Sequence, residues 1–498
     1  MWLHFFLSKN FKMFFTNEYG ITFELNDDDY TAKVVNSPKA NGNLHIPCIL
    51  TYQSHSYTIK SISENSFKGN RFIKSINLSE DSEISSIGKD SFYGSSIESI
   101  TFPSSLEELS EGWCNDTSKL IYISLSPQNE KFLFLNDKII IGKSEKSNDK
   151  YDTLIFACRD IESVIIPSYI KWIDSFSFSC CEKLKTIEFE KNSELLSINK
   201  DSFSETSIEK LKIPSNVVRI EERAFYDCND LKSIEFESNS KLSIINKFAF
   251  SFSSIEKVKI PSNVQIFGEG CFSWCQNLKS IEFSIDSKLT TIEKEAFSGS
   301  LIEKISLPSN VTSIGERAFA ECSKFNTIIF SKDSKLELID KYAFTLSSIE
   351  NISLPSSLKT LKEHAFSECR NLNTIEFSED SEICSIEKDL FSESSIENIK
   401  IPQKVDRICE RAFTWCKNLK LIQFSIDSDL RLIEKESFSS CSLESISIPS
   451  KVVKIGENAF FGCKNLKSVI FSKKADLLSI EKGAFSKSSI ERISVPLT

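Results

Sequence analysis

The sequence predicts a solenoid, a stack of similar short coils, and three regularities support this fold class. Proline recurs every 47 residues without a slip from Pro167 to Pro496. Within each period two phenylalanines alternate at steps of 25 and 22 residues, from Phe178 to Phe485. Each half-period also ends in the apolar–polar alternation of a strand with one buried face. One period therefore contains two coils.

The elements of a coil follow from the spacing of its apolar residues. The segments Leu231 to Phe236 and Ile255 to Ile260 alternate as strands do, and they predict neighbouring strands of one sheet. The apolar spacing between Ile220 and Cys228 fits about one turn of α- or 3₁₀-helix, which is too short to be stable alone. A coil of this size cannot bury its own apolar side, so we expect it to form by stacking on its neighbours.

Two runs carry a family resemblance. Residues 260–264, Ile-Pro-Ser-Asn-Val, and residues 314–322, Ile-Gly-Glu-Arg-Ala-Phe-Ala-Glu-Cys, resemble the consensus of the BspA-like leucine-rich repeat family. The resemblance covers residues 45–498. It implies a leucine-rich repeat solenoid, a curved right-handed stack with a parallel β-sheet on the concave face and short helical, 3₁₀ or extended segments on the convex face. The family consists mainly of surface antigens and adhesins, so the resemblance implies binding rather than catalysis. It implies no particular ligand.

The chain divides into five predicted regions. They are an N-terminal tail at 1–18, a β-rich antiparallel cap at 19–62, first repeats at 63–126, an insertion at 127–152 and regular double repeats at 153–498. Two alternating runs around Asn136-Asp137 predict a hairpin in the insertion, followed by a polar loop. We expect the insertion to project from the stack, as a ligand site or as a tolerated surface insertion.

Charge patterning separates structural rows from a candidate binding surface. The net charge of −10 provides no basic face for a nucleic acid, so no nucleic-acid partner is expected. Exposed strand positions such as Lys212, Glu235 and Lys259 alternate in sign from coil to coil, which favours stacking. The rows lose this pattern from Ser306 onward, where we expect a protein or glycan to bind. The predicted binding residues there are Ile329, Asn351, Leu421, Gln423 and Ile470.

Two tryptophans complete the candidate surface. Trp274 and Trp415 occupy one slot three periods apart, two residues after the repeat phenylalanine, where other copies are mostly polar. Either indole could anchor a partner or could pack against the next coil.

The cysteines and histidines indicate no catalytic, metal or cofactor site. Seven of the fifteen cysteines lie three residues after the repeat phenylalanine of the first coil of a period, at a core position two coils from one another, too far for a disulfide. Cys441 is an exception because it lies one coil from Cys416 and Cys463, so reduced thiols and one bridge both remain open. His364 occupies a variable polar slot, and no base–nucleophile pattern is present. We therefore predict that the chain is not an enzyme.

The sequence leaves the location of the protein open. The apolar run at Leu3 to Leu7 is too short for a signal peptide, and no run of 18 apolar residues predicts a transmembrane helix. These features favour the cytoplasm, whereas the family resemblance favours the cell surface. The predicted function is recognition or adhesion through the solenoid surface, and the alternative is an intracellular protein-interaction scaffold. Neither the oligomeric state nor a cap at the C-terminal end is predicted.

Overall fold

Stacked parallel coils make up the protein. The computed structural model describes residues 12–145, 150–472 and 474–494, and the chain divides into two compact units, Met1–Ile208 and Glu209–Thr498. Both units are built from parallel strands repeated coil after coil, which confirms the predicted solenoid. Within the described ranges no segment is helical, so the predicted helical or 3₁₀ segments are wrong and turns stand in their place.

Each coil of the second unit has three sides, a long strand, a strand of two residues and a turn around the repeat phenylalanine. The long strands alternate buried and exposed side chains, as the sequence predicts. The long strands are Lys210–Ile213, Ser233–Phe236, Lys257–Ile260, Ser280–Phe283, Lys304–Leu307, Thr327–Phe330, Asn351–Ser353, Thr374–Glu376, Asn398–Ile401, Leu421–Phe424, Ser445–Ile448, Ser468–Phe471 and Arg492–Ser494. The short strands are Arg219–Ile220, Ile244–Ile245, Ile266–Phe267, Thr291–Ile292, Ser313–Ile314, Leu338–Ile339, Thr360–Leu361, Ser385–Ile386, Arg407–Ile408, Leu432–Ile433, Lys454–Ile455 and Ser479–Ile480.

The turn replaces a helix because the backbone around the phenylalanine takes a positive φ twice. Arg223 has φ 56° and Asp227 has φ 55°, on either side of Phe225. A right-handed helix does not accommodate residues with positive φ, and its N–H groups donate to carbonyls of the same segment. Here the N–H groups reach the next coil, since Phe225 N donates to Ala249 O at 2.8 Å and Asp227 N donates to Ser251 O at 2.9 Å. The turn is therefore a third ladder between coils.

The phenylalanines form one interior file, as the in-register stacking predicts. The ring centroids of Phe225 and Phe250 are 5.3 Å apart, and those of Phe250 and Phe272 are also 5.3 Å apart. All three side chains are fully buried. The file runs on through Phe297, Phe319 and the later repeat phenylalanines at similar spacing. Equivalent residues of successive coils therefore lie in columns.

The charged strand positions also lie in columns. Lys212 is paired in register with Glu235, and Lys259 with Glu282. Opposite charges directly across a strand pair contribute about 0.2–1 kcal/mol. The alternating charges thus belong to the stacking of the coils.

The first unit begins with a mixed sheet rather than a wholly antiparallel cap. Met13–Thr16, Thr22–Asn26 and Thr31–Val35 pair antiparallel in sequence order. Thr31–Val35 then pairs parallel with His55–Ile62, because coil stacking already begins there. The first strand lies inside the predicted tail, while residues 1–11 are outside the described part. The other strands of this unit are Gly42–Ile46, Ile49–Tyr52, Ile73–Leu78, Ser86–Ile87, Ser99–Phe102, Glu108–Leu109, Tyr122–Leu125, Phe132–Leu135, Ile139–Gly142, Thr153–Ala157, Ser163–Ile166, Trp172–Ile173, Thr186–Phe189 and Ser197–Ile198.

The insertion forms a hairpin that packs into the core. Phe132–Leu135 pairs antiparallel with Ile139–Gly142, and the turn residues Asn136 and Asp137 have φ of 51° and 53°. Ile139–Gly142 pairs in turn with Thr153–Ala157. Because Ile139, Ile140 and Ile141 are all buried, the expectation that the insertion projects is wrong for the hairpin. Residues 146–149 of the polar loop lie outside the described residues.

Candidate binding surface

Five of the predicted binding residues lie on the outer face of the long strands. Ile329 is 53% exposed and lies opposite Ser306, and Ile470 is 49% exposed and lies opposite Ser447. Asn351 lies on the strand after Ile329 and accepts a hydrogen bond from Thr374 Oγ1 at 2.5 Å. The pleat of the strands directs these three side chains away from the core, and the register of the strands fixes the spacing between them.

Leu421 and Gln423 lie on the last strand of one long-strand sheet, next to a break in the sheet. Their strand pairs with Asn398–Ile401, but the next coil, Ser445–Ile448, begins a separate sheet. A shallow groove opens at this break, lined by Leu421, Gln423, Ile426 and Ser447 among others. The structure thus brings Leu421 and Gln423 together in one groove, and it places Ile329 with Asn351 elsewhere on the strand face.

Trp274 packs between its two neighbouring coils. Its indole stacks on Phe252 of the preceding coil, with ring centroids 6.2 Å apart. On the other side it lies over Gly299, where an added Cβ would come within 2.7 Å of Trp274 Cδ2. Although 42% of the residue is exposed, both faces of the ring meet protein. Trp274 therefore packs against its neighbouring coils, and a role of this residue in binding stays a prediction.

Trp415 has the same slot but different neighbours. The equivalent position is Glu393 in the preceding coil and Ser440 in the following one, as the bonds from Glu393 N to Thr414 O and from Trp415 N to Ser439 O show. Trp415 is 52% exposed. It borders a groove that also contains Arg370, Glu393 and Lys417.

Two exposed isoleucines were missed by the sequence analysis. Ile285 and Ile426 are almost completely exposed and lie three periods apart, each two residues after the end of its long strand. Other copies carry polar residues in this slot, for example Ser238, Lys332 and Glu379. An apolar residue in a polar column was therefore a readable signal.

The repeat cysteines form a buried column with serines. Cys275 Sγ donates to Phe250 O at 3.1 Å and lies 3.5 Å from Ser253 Oγ, and Cys322 makes the same pair of contacts with Phe297 and Ser300. Burial raises the pKa of Cys275 and Cys322 to about 12. Such thiols stay protonated near neutral pH and are poor nucleophiles.

Cys441 occupies the position of a serine in this column. Its Sγ donates to Phe413 O at 2.9 Å, and burial raises its pKa well above the ordinary value, with the neighbouring Cys416 adding to the effect. Cys441 and Cys416 are thus in contact, and both are free thiols.

His364 lies in a row of side chains two residues before the repeat phenylalanine. Its ring stacks on Tyr342 at 4.6 Å, and its Nε2 lies 3.5 Å from Asp389 Oδ2. Arg411 Nε and Nη2 donate to the same carboxylate, at 2.9 and 2.6 Å. Desolvation lowers the pKa of His364, although Asp389 opposes the shift. The imidazole is therefore a packed member of the row, and its protonated form is less favoured than that of a free histidine.

Two further features concern only the described part of the chain. Within 12–145, 150–472 and 474–494 no three His, Cys, Asp or Glu side chains converge as a metal site would require. The same residues include no helix with the length and apolarity to cross a bilayer.

The parallel coils, the phenylalanine file and the exposed strand face define a leucine-rich repeat protein. A family profile described as "BspA type Leucine rich repeat region (6 copies)" matches residues 45–134, 149–279, 196–324, 290–420 and 384–498. The chain belongs to this family, which is typical of protein-binding and adhesion proteins of cell surfaces. No curated protein matches the chain at a significant level.

Several solved structures resemble the chain. A leucine-rich repeat protein from Bacteroides ovatus is 22% identical, with 95% of this chain and 92% of that chain covered and a TM-score of 0.43. A leucine-rich cell surface protein from Faecalibacterium prausnitzii is 19% identical, with 97% and 94% covered and a TM-score of 0.31. The pneumococcal vaccine antigen PcpA is 15% identical, with 95% and 99% covered and a TM-score of 0.29. Likenesses this weak assign no partner to this chain.

Proposed function

We propose that the chain is a non-catalytic recognition or adhesion protein that binds a protein or glycan through the surface of its solenoid. The observation that carries the proposal is the exposure of Ile329 and Ile470 in a strand column that is otherwise polar, together with the half-exposed Trp415 on the turn side. Exposed apolar groups that recur on a rigid surface are a feature of binding sites. Leucine-rich repeat families are in general not enzymes.

The rigid backbone favours binding without prior ordering. The strands that carry Ile329 and Ile470 are paired in register with their predecessors, so the side chains are presented before a partner arrives. Little conformational entropy is then lost on binding. Polar neighbours such as Asn351 and Gln423 supply the hydrogen bonds that fix the orientation of a partner.

The test uses the full chain and a strand-surface variant that combines Ile329→Ser, Leu421→Ser and Ile470→Ser. Both are measured against panels of mucosal and matrix proteins and of immobilised glycans. We expect the variant to bind at least about tenfold more weakly. The control variant Lys212→Ser with Lys259→Ser alters only the charged ladder and should bind as the parent chain does. Unchanged binding by the strand-surface variant would refute the proposal.

An intracellular scaffold that uses the same surface is the second candidate. The odd number of cysteines favours it, because at least one thiol must lack an intramolecular partner. So does the cysteine column, in which most repeat cysteines alternate with serines, for example Ser300 between Cys275 and Cys322. Such thiols suit a reducing compartment. Surface labelling of intact cells separates the two candidates, because only a surface protein is labelled from outside.

A further inference from the structure

We propose that the groove beside Trp415 is a saccharide subsite, in which one neutral pyranose ring packs on the indole. The inference rests on the proposed recognition function and specifies the ligand class for one site. The groove lies between successive coils and is bordered by Arg370, Glu393, Trp415, Lys417 and Asn418.

The indole is fixed at its root, and about half of the residue is exposed although Lys417 Nζ lies over the ring. Trp415 N donates to Ser439 O at 2.8 Å, and Thr414 O accepts from Glu393 N at 2.9 Å, so the turn is bonded on both sides. Its φ of 59° is the value shared by this slot in other coils. The ring is consequently held in place by backbone that a ligand does not need to order.

Trp274 provides an internal comparison in the same slot. Its ring is covered by Phe252 on one side and rests over Gly299 on the other. At Trp415 the corresponding neighbours are Glu393 and Ser440, neither of which is aromatic or glycine. The groove includes Glu393, which occupies the slot that Phe252 occupies beside Trp274, so a carboxylate replaces the aromatic ring that stacks on Trp274.

The polar groups around the indole suit a saccharide better than a protein side chain. A pyranose has an apolar C–H face, which the negative face of an indole attracts, and a rim of hydroxyls that both donate and accept. Glu393 accepts, Arg370 and Lys417 donate, and Asn418 does both. An apolar protein anchor would instead require a surrounding that excludes water, whereas the Arg370 side chain is 68% exposed and that of Glu393 is 51% exposed.

Counted with Glu368, the ion-pair partner of Arg370, the groove has two cations and two carboxylates, and this balance favours a neutral sugar. Arg370 Nη2 lies 3.2 Å from Glu368 Oε2 and 3.8 Å from Glu393 Oε2. The remaining cation, Lys417, has its Nζ 5.3 Å from the centre of the indole. Because Arg370 is already paired with Glu368 and Glu393, an acidic sugar would have to compete with two carboxylates for that guanidinium.

The experiment measures binding of oligosaccharides of glucose, galactose, mannose and their N-acetylated amino sugars to the full chain, by calorimetry and saturation-transfer NMR. Trp415→Gly is the main variant, because glycine takes the same slot with positive φ at Gly299 and Gly462. Trp274→Gly is the matched control. We expect Trp415→Gly to lower the affinity for the bound neutral sugar at least about tenfold and Trp274→Gly to leave it within about twofold.

Glu393→Gln and Arg370→Gln test the same groove without removing the ring, and each should weaken binding while the thermal midpoint stays unchanged. Equal affinity of Trp415→Gly and the parent chain would overturn the inference. So would the failure of every neutral sugar to bind, binding of sialylated or glucuronate-containing sugars alone, or a protein partner that needs Trp415. The recognition function fails separately, when the strand-surface variant binds its partners as the parent chain does.

Discussion

Removing one ring from the phenylalanine file should cost far more than removing an exposed ring. Phe319 is fully buried, and its ring centroid lies 5.1 Å from Phe297, 5.4 Å from Phe344 and 4.8 Å from Phe325. Phe319→Ala loses the buried apolar area and leaves a cavity between two coils, which typically costs about 3–5 kcal/mol. Three ring contacts place the expected loss in the upper part of that range.

Urea unfolding followed by far-ultraviolet circular dichroism measures this loss. Because a stacked array can open locally, amide hydrogen exchange should accompany it, with the largest effect at Phe297 and Phe319, whose N–H groups donate to Ala318 O and Ala343 O. Phe252→Asn is the control, since Phe252 is partly exposed and asparagine tolerates its φ of 59°. A loss for Phe319→Ala below about 1 kcal/mol, or equal to that of the control, would refute the in-register core.

Three further predictions concern single positions. Gly299→Ala should lower the free energy of unfolding by about 1–2 kcal/mol and red-shift tryptophan emission, because Gly299 has a φ of 67° and the new Cβ would meet the Trp274 ring. The control Gly462→Ala should lower it by about 1 kcal/mol, from backbone strain alone, because the nearest neighbour of its Cβ is Ser440 Oγ at 3.3 Å. Because the pKa of His364 is lowered in the folded chain, the unfolded chain binds the proton first as pH drops, and stability should fall as pH drops through about 6.5. His364→Asn should flatten this pH dependence of the urea midpoint, and an equal pH dependence in the variant and the parent chain would contradict the assignment. Cys441→Ser should change the free energy of unfolding by less than about 0.5 kcal/mol, because Ser394 occupies the same slot in another coil. Thiol titration of the denatured, unreduced parent chain should find all 15 thiols, and a count of 13 would indicate a disulfide.

The repeat made much of the core predictable. A fixed period puts Phe225, Phe250 and Phe272 in equivalent places, and stacking then turns sequence spacing into a spatial column. The sign alternation of Lys212 and Glu235 was predictable for the same reason. The turn was not, since the apolar spacing from Ile220 to Cys228 also fits a helix, and only the ladder bonds to the next coil decide between them.

The amino-acid order alone determined the number of residues per coil, the strands and the identity of the buried file, because each depends on a pattern that is local and repeated. Tertiary packing decided what the non-repeating parts do. The hairpin at Phe132 to Gly142 joins the core because Ile139–Gly142 finds Thr153–Ala157 as a partner strand. Trp274 and Trp415 differ because the neighbouring coils place Phe252 and Gly299 beside Trp274, whereas the corresponding residues at Trp415 are Glu393 and Ser440. A side chain's surroundings depend on such distant neighbours.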